Sequence, residues 1–310
     1  MKEYAIHEDF ALLNASMLMH PAAIIPGQVI AKGLYRAYRC GKDIAHTRKK
    51  MPGYLSEEIE VGVYRPKGLS GALPCMFLIH GGGFALAAGD YHREILCDYV
   101  RAAGCVGIDI DYHLLPGFPW PAAYEDCKAV WRWIHDNAAS LGVDPLRIAL
   151  CGDSAGGALA AGLAQYLRDT GAIPPVFQAL ICPVLDKRME TESMQLFDDT
   201  PLWNAKSNRA MWDMYLEYDD PGPEAVYASP GTHPNVADLP PAYIEVSEFD
   251  CLRDEGIAYA RRLEEAGIPV TLVETKGTIH AFELARFSAY RNELLAQRRE
   301  HILHMFKEHV

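Results

Sequence analysis

A mostly parallel, doubly wound α/β sheet is the fold class this sequence predicts, on three observations. From about residue 59 onward, short β-rich runs alternate with longer helical patterns. Several runs, such as Met76-Phe77-Leu78-Ile79, are apolar without a break, as strands covered on both faces are. And the glycine-flanked serine of Gly152-Asp153-Ser154-Ala155-Gly156 stands where one such run gives way to a helical pattern. Sheets of this class take their ligands beyond the carboxyl ends of the strands, so chemistry is expected there.

Taken in order, strands are expected at residues 59–65, 75–80, 105–111, 147–151, 177–182, 242–247 and 270–275. Helical patterns lie between them at 93–103, 122–140, 155–168 and 254–266, with a last one from about 287 to 307. Residues 1–50 read as an N-terminal helical segment, and 186–220 as a Met- and aromatic-rich helical insertion. Neither has the apolar content to stand alone. Both are expected to form a small lid over a catalytic domain spanning 51–310. Met194, Phe197, Trp203, Met211, Trp212, Met214 and Tyr215 could line a pocket, but such residues more often pack a helical element against its support.

Composition narrows the partners. In 310 residues, 41 acidic side chains against 29 basic ones give a formal charge of −12, which argues against nucleic acid and other polyanions. The eight cysteines form no Cys-x-x-Cys pair, and most sit in apolar runs. They read as buried free thiols of a reducing compartment, not as disulfides or metal ligands. The first residues lack the apolar core of a signal peptide, and no run reaches the roughly 18 apolar residues of a membrane span. A cytoplasmic protein is expected.

Gly-x-Ser-x-Gly in the setting strand, sharp turn, helix marks Ser154 as a candidate nucleophile. The plain alternative is a helix N-cap serine beside closely packed glycines. Three further glycines follow the 75–80 run in His80-Gly81-Gly82-Gly83-Phe84. Such a loop presents backbone amides without side chains in the way, as an oxyanion hole requires. Gly82 and Gly83 are the expected donors, with Ala155 as a third, while His80 is expected to anchor the loop. No Gly-x-Gly-x-x-Gly or Gly-Lys-Ser/Thr pattern suggests a phosphate site there instead.

An activated serine needs a histidine base and a carboxylate to orient it. Asp250 follows the 242–247 run and His280 follows the 270–275 run, in the order serine, acid, histidine. Asp254 better suits the start of a helix, and Glu248 is a weaker rival for the acid. His301, His304 and His309 fall in or beyond the terminal helix, and His233 precedes Asp250.

With these residues assembled, the chain resembles the hormone-sensitive-lipase-like branch of the α/β-hydrolase fold, the bacterial family IV esterases and acetylesterases, over about residues 58–307. The markers are the His80–Phe84 loop, the block 152–157, Asp111-Tyr112 with Leu114 and Pro116 ahead of Pro119-Trp120-Pro121, and Asp250 with Leu252-Arg253-Asp254-Glu255-Gly256. The resemblance implies a helical lid, hydrolysis of short acyl esters and no cofactor. The family's usual arginine and glutamate after Asp-Tyr are replaced by His113 and Gly117, and its His-Gly-Phe reads His280-Ala281-Phe282. An amidase or formamidase using the same triad is the nearest alternative, and a small-molecule receptor the next. A homodimer paired along the edge of the last strand is also compatible with the reading.

Overall fold

The computed structural model describes residues 3–15, 19–217 and 222–309. Among them, the strands β1 (Ile44–Pro52), β2 (Glu58–Pro66), β3 (Leu73–Ile79), β4 (Val106–Asp111), β5 (Val143–Asp153), β6 (Gln178–Ile181), β7 (Ala242–Phe249) and β8 (Val270–Ile279) form one sheet. Its spatial order is β1-β2-β4-β3-β5-β6-β7-β8. The β1–β2 and β2–β4 pairs are antiparallel, and every other neighbouring pair is parallel. The helices are α1 (Pro21–Ala37), α2 (Asp90–Ala103), α3 (Ala122–Asp136), α4 (Ala138–Leu141), α5 (Ala155–Asp169), α6 (Glu192–Leu196), α7 (Ala205–Tyr215), α8 (Arg253–Glu265) and α9 (Ala289–His309).

The unbroken apolar runs are explained by two cores. In β3, Cys75, Phe77 and Ile79 pack in one cluster with residues of α3 and α5, while Met76 and Leu78 pack in a second with residues of α2 and α9. Alternate side chains of a strand point to opposite faces, so a sheet covered on both sides needs apolar residues at every position.

Two expectations are corrected. The segment 1–50 is not helical throughout, because Ile44–Pro52 is the edge strand β1, paired with β2. It carries His46, Arg48, Lys49 and Lys50, and only Ile44 is buried. Its inward positions after Ile44 hold His46 and Arg48, paired with polar groups, while Lys49 and Lys50 face water, so no apolar alternation is there for sequence reading to find. Nor are all eight thiols free: Cys40 and Cys97 form a disulfide whose Cα atoms lie 6.1 Å apart, tying the chain beyond α1 to α2. The partners are 57 residues apart in sequence, so spacing gave no sign of them. Cys75, Cys105, Cys127, Cys151, Cys182 and Cys251 are free and buried as expected.

The expected insertion contains α6 and α7, and its last residues, 218–220, lie outside those described. Of its apolar side chains, Met194, Phe197, Met211, Trp212 and Tyr215 are buried in the main core. No helix among the described residues is long and apolar enough to cross a membrane.

Candidate active site

The turn after β5 is built for close approach. A β-carbon on Gly156 would overlap the carbonyl oxygens of Ile79 and His80, and one on Gly152 would overlap the Gly156 carbonyl. Only glycine lets α5 start this near the sheet. Ser154 occupies the N-cap position of α5 with φ 53° and ψ −120°, a backbone conformation that L side chains rarely adopt. Its amide donates to the Ile181 carbonyl at 2.8 Å, and its carbonyl accepts from the Val184 amide at 3.0 Å. The strained turn is thus fixed on both sides.

β7 and β8 deliver the partners. Asp250 directly follows β7, and His280 directly follows β8, which runs four residues beyond the expected 275. The Nδ1–H of His280 donates to Asp250 Oδ2 at 2.7 Å, leaving Nε2 as the acceptor 2.9 Å from the Ser154 hydroxyl. The other Asp250 oxygen accepts from the Leu252 amide at 3.0 Å. All three side chains are buried: Asp250 is 0%, His280 5% and Ser154 6% exposed. Burial pulls the imidazole pKa down. Asp250 more than reverses this by charge and hydrogen bond, with Glu283 and Asp153 adding to it, so the pKa of His280 lies above its ordinary value.

The rivals are occupied elsewhere. Glu248 accepts from the Gly277 amide at 2.8 Å, and Asp254 from the Ser193 amide at 2.7 Å in the first turn of α8. His233 lies against Asp169, 3.1 Å away, and His301 stacks on Tyr243.

The glycine loop wraps the other side of the serine. Gly82 and Gly83 have φ of 111° and 61°, and Gly82's carbonyl accepts from the amides of Ala85 and Leu86. Among the described residues, no acceptor meets the amides of Gly82, Gly83 or Ala155. His80 anchors the loop, stacking on Tyr112 with ring centres 4.2 Å apart while the Tyr112 hydroxyl donates to its carbonyl at 2.8 Å. Burial lowers the pKa of His80 to about 4, so it stays a neutral support. Phe84 stacks on Tyr215 of α7, with centres 3.7 Å apart.

Asp153 is the residue sequence reading passed over. Its carboxylate accepts from the Gly81 amide at 3.1 Å and from His92 Nε2 at 3.1 Å, joining the elbow to the glycine loop. The Gly89 amide donates to His92 Nδ1 at 2.9 Å, which leaves the proton on Nε2 for Asp153. A charged residue between a glycine and the serine was the available signal. Similarly, His113, standing in place of the family's arginine, binds Asp126 through Nδ1 at 2.8 Å.

A cavity of about 250 Å³ opens over Ser154, walled by Gly82 and Gly83, by Ile30 and Leu34 of α1, and by Trp203 from the insertion. Trp203 alone of the seven insertion side chains singled out in the sequence reaches it. Cys182 Sγ lies with Asp250 and His280 in a group whose possible metal-ligating atoms fall within 4.8 Å of one another. Burial holds that thiol's pKa well above normal, and Asp250 and His280 already bind each other.

Comparison with known proteins gives the family. A family model described as the alpha/beta hydrolase fold matches residues 76–284. Esterase LipI of Mycobacterium tuberculosis is 39% identical over 210 residues, covering 67% of this chain and 65% of LipI. Carboxylesterase NlhH of the same organism is 36% identical over 232 residues, covering 73% of this chain and 71% of NlhH. Among solved structures, a bacterial heroin esterase superimposes with a TM-score of 0.88 at 32% identity, covering 97% of this chain and 98% of that one. With two thirds of its length matched by the family model and esterases on both sides of the comparison, the chain belongs to the hormone-sensitive-lipase-like esterases of the α/β-hydrolase fold.

Proposed function

We propose that this esterase cleaves short-chain acyl esters through an acyl-enzyme formed on Ser154. The observation that carries the reading is the relay Asp250–His280–Ser154, with both hydrogen bonds formed at 2.7 and 2.9 Å. His280 Nε2 takes the hydroxyl proton as Oγ attacks the ester carbon. Asp250 keeps the proton on Nδ1 and stabilises the imidazolium that results. The carbonyl oxygen becomes negative facing the amides of Gly82, Gly83 and Ala155, and loss of one such donor costs about 3 kcal/mol. Collapse of the intermediate breaks the bond to the alcohol oxygen, which leaves with the proton from His280. Water then attacks the acyl-enzyme by the same route, releasing the acid.

The cavity of about 250 Å³ supports a small acyl group, being below the range of roughly 300–1,000 Å³ usual for drug-sized ligands. In this reading α1 and the α6–α7 insertion serve as the lid, since each contributes to the cavity wall.

Ser154→Ala is expected to lower turnover by about six orders of magnitude, and a fluorophosphonate probe should label Ser154 alone. Rates on p-nitrophenyl esters of rising chain length should fall beyond short acyl groups, and matched amides should react more slowly. Esterase activity retained in purified Ser154→Ala protein would overturn the proposal.

A further inference from the structure

We infer that Glu283 sets the charge preference of this site: it makes the cavity wall negative beside His280, so that esters bearing an ammonium group are hydrolysed in preference to esters bearing a carboxylate. The inference rests on the serine-esterase reading above and extends it to the alcohol part of the substrate.

The charged side chains lining the cavity are Asp90, Asp153 and Glu283, with no lysine or arginine among the lining residues. Their neutralisation is uneven. Asp90 pairs with Arg286 at 2.7 Å. Asp153 and Asp250 are met by imidazoles and backbone amides, not by a fixed cation. Glu283 and Glu245 share the single guanidinium of Arg298, each at 2.6 Å. That cluster is sealed, with Arg298 2%, Glu245 1% and Glu283 5% exposed, and it holds two carboxylates against one cation. Its surplus charge acts through protein and not through water, where a charge is felt several times more strongly. Trp203 and Tyr91 also line the cavity, and the faces of their rings attract an ammonium group.

Glu283 hydrogen-bonds none of Ser154, Asp250 and His280, and although its charge helps raise the imidazole pKa, that effect is common to all substrates and cancels in a ratio of their rates. Its carboxylate bonds Arg298, and its backbone carbonyl accepts from Arg291 Nε at 3.0 Å. Glu283→Gln keeps the shape and an oxygen for Arg298, which remains paired with Glu245 through two hydrogen bonds, at 2.9 and 2.6 Å. Asp153 is the poorer probe, because it tethers the glycine loop.

The test compares kcat/KM for three acetates of 3-substituted phenols: trimethylammonio, its uncharged isostere tert-butyl, and carboxy. The reaction is run at low salt and in 1 M sodium chloride, where the Debye length is about 3 Å. The cation-to-anion ratio should persist at high salt in the natural protein. It should fall about tenfold in Glu283→Gln and be retained in Glu283→Asp. Comparing ratios between variants cancels the differing leaving groups, and circular dichroism checks that each variant folds. An unchanged ratio in Glu283→Gln would overturn the inference. So would a ratio that vanishes in 1 M salt, which would assign the preference to the net charge of −12 on the whole molecule. The salt arm uses the natural protein alone and can overturn the inference even if the glutamine variant misfolds, while Glu283→Asp, which keeps the charge, must retain the ratio for the preference to be assigned to this residue. If none of the three acetates nor p-nitrophenyl acetate is hydrolysed, the short-chain reading of the site fails, and the charge preference is then not in question.

Discussion

The rim formed by the ends of β5, β7 and β8 and the helix α1 above it meet at one cavity, yet they are held in opposite ways. At the rim, burial does the work. Ser154, Asp250 and His280 are nearly sealed, and the first turns of α5 are glycine and alanine pressed against the sheet. α1 instead leaves Ile25, Val29, Ile30 and Leu34 between 52% and 69% exposed. Of its described side chains only Ile24 and Tyr35 are buried, and polar ties do much of the rest: Gln28 donates to the carbonyls of Ala85 and Leu115 at 2.7 and 2.8 Å, and the Tyr35 hydroxyl bonds Asp109 and Tyr64. The difference separates what the site does from what it admits. A packed rim tolerates little change, whereas a helix held by two buried side chains and a few hydrogen bonds can vary its outer face at small cost.

That contrast can be tested from its strongest consequence to its weakest. Asp250→Asn should leave the fold intact but lower kcat by about ten-thousand-fold, since the imidazole loses the carboxylate that fixes its tautomer. The same variant bears on pH. A protonated His280 cannot accept the serine proton, so kcat/KM should fall as pH drops through the imidazole pKa, above the ordinary value of about 6.5. Removing the Asp250 charge should move that acid limb downward. A pH–rate profile of the two proteins checks both points. Next, Leu150→Ala beneath the elbow should destabilise the protein by about 2–5 kcal/mol in urea titration, because Leu150 is fully buried in the main core. Asp153→Ala should then cost about 10- to 100-fold in kcat with little change in melting temperature, as the tether between elbow and loop is lost. Smallest of all, Val29→Ser should shift stability by no more than about 0.5 kcal/mol. A large loss from Val29→Ser, or none from Leu150→Ala, would break the contrast.

The same divide decided what could be read from sequence. The elbow was legible because glycine, serine and a strand-to-helix change occur together only where a backbone must turn sharply. Asp250 and His280 were legible because each follows an apolar run, and the hydrogen bonds of Glu248 and Asp254 show why these two rivals stayed rivals. β1 was not legible, since its inward side chains His46 and Arg48 are polar and leave no apolar pattern. Nor was the Cys40–Cys97 pair, which only the folding of α1 toward α2 creates. Trp203 could not be told from its six neighbours in the insertion, because apolar residues that fill a core and those that face a cavity look alike in a chain. Asp153 and Glu283 were missed for another reason: their meaning lies in partners distant in sequence, His92 and Arg298.

The backbone at Ser154 carries one more implication. A residue other than glycine held at φ 53°, ψ −120° costs on the order of 1–3 kcal/mol, a cost that the nucleophile role proposed for its hydroxyl would account for. Ser154→Gly should therefore melt higher than the working enzyme while catalysing nothing. Durability and turnover would then oppose each other at this single position, a trade that the melting temperatures and rates of the two proteins measure.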